Sequence, residues 1–80
     1  MNREQVMEKI NGVFHEVFED DSLVVTDQTT ASDIEDWDSL AHLQLIAQIE
    51  QTFGIKFSLG EITGFANVGE MCDSVIKHQR

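Results

Sequence analysis

The stretch Trp37-Asp38-Ser39-Leu40-Ala41-His42-Leu43-Gln44-Leu45-Ile46-Ala47-Gln48-Ile49-Glu50-Gln51-Thr52-Phe53-Gly54-Ile55 decides the fold of this 80-residue chain. Leu40, Leu43, Ile46, Ala47, Ile49 and Phe53 recur at helical spacing and make one apolar face. Asp38 or Ser39 offers the side-chain oxygen that a helix N-cap needs, so the helix starts there. Gly54 can take the left-handed conformation that follows a helix, with Ile55 as the apolar contact of a Schellman ending, so the helix stops at Phe53.

Ahead of this segment, from Asp20 to Trp37, periodicity is lost, and Leu23, Val24, Val25 and Ile34 are the apolar anchors among Asp, Ser and Thr. This reads as one long ordered loop. Loops beyond about 12 to 15 residues are uncommon in compact domains and are usually functional or disordered. Earlier still, Val6, Ile10, Val13, Phe14, Val17 and Phe18 fall on one face and predict a first helix over Arg3 to Glu19. Gly12 inside it costs about 1 kcal/mol relative to alanine, which the apolar stripe must outweigh.

On the other side, Ser58 can cap a short third helix with Ile62 and Phe65 facing inward. Asn67 with Glu70 resembles a capping box, and Val68, Met71, Cys72, Val75 and Ile76 predict the last helix. The runs Val24-Val25 and Ile55 to Phe57 are too brief to build a sheet. The expected fold is all-α: a small four-helix bundle of three long helices and one short, with a long loop between helices one and two, in one domain over residues 1–80.

Composition narrows the function. Lys+Arg 5 against Asp+Glu 15 gives a formal charge of −10. Phosphate backbones and anionic membranes repel such a chain and basic protein surfaces attract it, so neither nucleic acid nor membrane is expected as a partner. A chain this short buries only roughly 60% of its unfolded surface, which excludes large enzyme folds with deep, walled sites. The single cysteine, Cys72, allows no internal disulfide and no Cys-rich zinc site, which suits a cytoplasmic location. Met1 to Lys9 carries charges throughout and has no apolar stretch of signal-peptide or membrane-span length. Between Ile10 and Ile55 there are ten carboxylates and no Lys or Arg, nine of the acids lying between Glu16 and Asp38. That one-signed stretch either speeds encounter with cationic partners or is a solvated acidic loop.

Ser39 is the residue that stands out for chemistry, at a helix start, after Asp38 and beside Trp37. An ordinary N-cap serine is the commonest reading of such a position. A hydrolase would pair it with His42 at i, i+3, but it also needs a third orienting group, an oxyanion hole and a cleft, for which 80 residues leave little wall. His42 reads instead as an exposed residue flanking Ser39. His15, His42 and His78 lie on different segments without ligand spacing, and a calcium loop begun at Asp27 has Ser32 where glycine is needed, so no metal site is expected. Trp37 reads as a packing residue that pins the loop to a helix, and Cys72 and Met71 read as core.

At Asp38-Ser39-Leu40 the chain resembles the acyl carrier proteins, whose Asp-Ser-Leu element opens the second helix of a four-helix bundle. The resemblance extends through the apolar second helix, the Phe53-Gly54-Ile55 ending and the Ile62, Phe65, Asn67-Val68 spacing, and covers nearly all 80 residues. It implies that Ser39 receives 4′-phosphopantetheine from coenzyme A as a phosphodiester, attached by a phosphopantetheinyl transferase. It also implies a monomeric, non-catalytic carrier of acyl groups held as thioesters for fatty-acid-like or specialised biosynthesis. Its partners would be acyl-activating and acyl-transferring enzymes with basic docking surfaces, met by Asp38, Leu40 and Glu50. The second helix departs from the family's acidic pattern at Ala41, Gln44 and Gln51. An aminoacyl or peptidyl carrier with the same attachment chemistry, and a non-enzymatic acidic interaction module, are the alternatives. Within the bundle, Leu43 is expected in the core and Leu40 partly exposed.

Overall fold

The computed structural model describes residues 2–79; Met1 and Arg80, which the single-domain expectation includes, lie outside the described residues. Four α-helices follow one another: α1 Arg3–Phe18, α2 Ser39–Phe53, α3 Leu59–Gly64 and α4 Val68–His78, with a 3-10 turn at Ala31–Asp33 in the first loop. Among the described residues the regular elements are all helical, as the apolar periodicities require.

A reciprocal capping box starts α1: the Asn2 side chain accepts from the Gln5 amide while the Gln5 side chain accepts from the Asn2 amide. The helix ends one residue short of the expected Glu19, because Glu19 turns left-handed at φ 52° and closes the last turn with its amide on His15. Gly54, at φ 66°, ends α2 in the same way and needs no such strain. Ser58 caps α3 through a full box with Glu61. At α4 only half the expected box forms: Asn67 accepts from the Glu70 amide, but the Glu70 carboxylate reaches back to Ala66 rather than to Asn67.

Val6, Ile10, Val13 and Phe14 of α1 meet Leu45, Ile46 and Ile49 of α2 and Val68, Met71, Cys72 and Val75 of α4 in one shared core, closed by Val25 and Phe57. Ile62 and Phe65 pack against it half-buried, as do Ile76, Trp37 and Phe53. Half of the expected face of α2 is inward: Ile46, Ile49 and Phe53 meet the core, whereas Leu40, Leu43 and Ala47 are exposed. Leu43 is 58% exposed and Leu45 is fully buried. The helix carries two apolar stripes, Leu45-Ile46-Ile49-Phe53 and Leu40-Leu43-Ala47, and periodicity alone does not say which faces inward. The first faces the core and the second faces out.

Long-range polar ties order the first loop. Asn11 of α1 both donates to the Val25 carbonyl and accepts from the Val25 amide, which seats Val25 in the core. Downstream, the carbonyls of Thr29 and Asp27 accept the first two amides of α4, from Val68 and Gly69, which have no acceptor within their own helix. The Arg3 guanidinium holds Asp27 and Asp73 together and also donates to the Gly69 carbonyl, and this pair of carboxylates raises its already high pKa. Of the four apolar anchors expected in this loop, Val25 is buried and Leu23 and Ile34 are half-buried, whereas Val24 is exposed.

Candidate functional site at the start of α2

Loop and helix together build the position of Ser39. The Asp33 carboxylate accepts from the Thr30 amide and hydroxyl across the 3-10 turn, and the Trp37 amide then donates to the Ile34 carbonyl. Trp37 packs edge-on to Phe14 of α1, with ring centroids 5.2 Å apart, and so pins the loop to the helix as expected. Asp38 follows in extended conformation and caps α2, its Oδ1 accepting from the Ala41 amide at 2.8 Å. Ser39 is thus the first helical residue rather than the cap. The first α-helical bond here runs from the His42 amide to the Asp38 carbonyl, so the amides of Ser39 and Leu40 point out of the helix end without an acceptor in their own helix.

This arrangement suits an anionic ester on Ser39. The side chain is exposed, and the N-terminal amides and the positive end of the helix dipole favour a phosphate placed beside them. Leu40, 66% exposed, and Leu43, 58% exposed, continue an uncharged apolar surface along the outer stripe of α2. Asp38 is exposed next to the serine, and Glu35 and Asp36 lie exposed just upstream. Glu50 sits apart, at the other end of α2. It is half-buried, and its Oε2 accepts from the Phe57 amide at 2.8 Å, tying α2 to the segment ahead of α3.

His42 is not the exposed flank that the sequence suggests. It is half-buried and hydrogen-bonded through both ring nitrogens, to the Trp37 indole and to the Ile62 carbonyl. No periodic signal marks this pairing, since Trp37 precedes the helix and Ile62 is twenty residues away. The other two histidines are engaged separately: His15 meets the Leu23 carbonyl and His78 the Glu61 carboxylate. Cys72 is fully buried, and burial pushes its thiol up, away from nucleophilic use. A shallow groove of about 550 Å³ lies along α1, lined by Arg3, Glu4, Met7, Glu8, Asn11 and Asp27, and takes no wall from α2. No helix among the described residues is long and apolar enough to cross a membrane.

Known proteins match this geometry in sequence and in structure. The family model described as "Phosphopantetheine attachment site" matches residues 8–75. An acyl carrier protein of Rubrobacter xylanophilus is 29% identical over 79 residues, covering 99% of this chain and 98% of that one. The solution NMR structure of holo acyl carrier protein from Geobacter metallireducens superposes with a TM-score of 0.87 at 43% identity, over 92% of this chain and 85% of that one. The prosthetic group these matches imply is phosphopantetheine, and the exposed serine at a helix N-terminus fits a phosphodiester. The chain belongs to the phosphopantetheine-attachment family and, within it, to the acyl carrier proteins.

Proposed function

We propose that Ser39 is the attachment point of 4′-phosphopantetheine and that the chain carries acyl groups on that arm to the enzymes of a fatty-acid-like or specialised biosynthetic route. The carrying observation is the division of labour at the start of α2. Asp38 does the capping, which leaves the exposed Ser39 hydroxyl at the amide-lined helix end available as a nucleophile. In the attachment step the Ser39 oxygen bonds to the pantetheine-side phosphorus of coenzyme A. The phosphoanhydride bond to the adenosine half breaks, and the hydroxyl proton passes to the transferase. When bound, the arm supplies a thiol that holds acyl groups as thioesters. The protein itself makes and breaks no bonds of the cargo, and it acts as a soluble, cytoplasmic monomer.

Docking falls to residues around that serine. Leu40 and Leu43 offer the apolar contact, and Asp38, with Glu35 and Asp36, offers negative charge to a basic transferase or acyl-enzyme surface. Glu50 serves first as the acceptor for Phe57, and any partner contact it makes lies at the far end of α2, away from Ser39. Intact-mass measurement after incubation with coenzyme A, magnesium and a broad-specificity transferase tests the reading: wild type gains one arm and Ser39→Ala gains none. An unmodified wild type would leave an acidic interaction module as the better account.

A further inference from the structure

Behind Ser39 one side chain joins the loop, α2 and α3. The indole N–H of Trp37 donates to Nδ1 of His42 at 3.1 Å, and the two rings lie 22° from parallel. An indole nitrogen only donates, so Nδ1 accepts and the imidazole proton resides on Nε2. Nε2 then donates to the Ile62 carbonyl at 2.8 Å. Ile62 is among the last four residues of α3, whose carbonyls have no partner within their own helix. α3 has no fully buried residue, and this bond ties it directly to α2. Contacts thus run from Phe14 of α1 through Trp37 and His42 to α3, passing behind the turn that carries Ser39.

We propose that His42 is a positioning residue for modification of Ser39: it holds the first turn of α2 in register with the loop and with α3, so that a transferase meets one preorganised surface. The proposal rests on Ser39 being the attachment site. His42 itself touches no reacting atom. Loosening the bridge would oblige the transferase to order this surface on binding, which weakens docking and leaves the chemical step unchanged once docked.

The test uses the whole chain. His42→Phe keeps a planar ring and loses both hydrogen bonds, whereas Trp37→Phe keeps an aromatic ring beside Phe14 and loses the N–H together with part of the indole's packing surface. Transfer from coenzyme A is measured well below each variant's melting temperature, with the carrier as varied substrate. For His42→Phe, KM should rise about tenfold, the equivalent of one net hydrogen bond, with kcat within about twofold. Trp37→Phe should show a smaller rise, and the double variant should be no worse than His42→Phe alone. Trp37 is the only tryptophan, so its single indole N–H resonance reports the bond directly and should move upfield in His42→Phe. A folded His42→Phe with unchanged KM, an unmoved indole resonance, or effects that multiply in the double variant overturns the proposal. A wild type that is never modified overturns the Ser39 assignment and this proposal with it; normal modification with unchanged KM in His42→Phe overturns this proposal alone.

Discussion

The Asp38 carboxylate accepts the Ala41 amide hydrogen at 2.8 Å, so the turn that opens α2 is closed without help from the serine between them. Stability and modification should therefore separate at adjacent positions. Asp38→Ala should cost about 1 kcal/mol of folding stability. Ser39→Ala, which places a good helix former at the first helical position, should leave the denaturant midpoint nearly unchanged and abolish modification. Urea titrations of the two variants check the first half of this claim, and mass spectrometry the second.

Leu43 and Leu45 are two residues apart on α2 and lie on opposite stripes. Leu45→Ala should destabilise by about 2 to 5 kcal/mol through loss of a fully buried side chain. Leu43→Ala should stay within about 0.5 kcal/mol of wild type and instead raise KM for partner enzymes. Equal melting losses for both would contradict the observed phase of the helix.

Two glycines should respond in opposite directions. A Cβ on Gly69 would lie 2.8 Å from the Asp27 carbonyl oxygen, in the place where the loop backbone rests on the start of α4. Gly69→Ala should destabilise by about 1 to 3 kcal/mol, since backbone on both sides must move apart. Gly12 is exposed in the middle of α1, with nothing within 4 Å of an added Cβ. Gly12→Ala should stabilise by about 0.5 to 1 kcal/mol. Thermal melts of the pair check both signs.

Glu61 links α3 to α4. The amide of Ser58, and then His78, hold its carboxyl down to about 2, against an ordinary 4.5. Because the folded-state value is the lower one, the charged carboxylate favours the folded chain above the ordinary carboxylate range. That contribution is lost as pH falls from about 4.5 toward 2. Glu61→Gln should be less stable than wild type at neutral pH, and the difference should shrink across this interval. A gap that is constant from pH 6 down to about 2 would contradict the charge-based account.

Local signals made most of the architecture readable in the sequence. Gly54 stops α2, Ser58 starts α3, and the stripe from Val68 to Val75 faces the core as its spacing requires. What stayed illegible depends on distant partners or on a choice between equivalent faces. Leu43 and Leu45 both belong to helical stripes, and only packing against α1 and α4 decides which stripe is buried. The Asn11 clamp on Val25 spans fourteen residues and leaves no periodic trace. The place of Ser39 at the start of α2 was legible because its neighbours are informative: an acid before it, an apolar helix after it and a glycine stop at the far end. His42 was not, because both of its partners lie outside its own helix.

Peptide mapping after incubation with coenzyme A, magnesium and a broad-specificity phosphopantetheinyl transferase tests the central claim most directly. The peptide containing Ser39 should carry one phosphopantetheinyl group, and the Ser39→Ala chain should carry none. A group on Ser32 or Ser58, or a modified Ser39→Ala chain, would contradict the account.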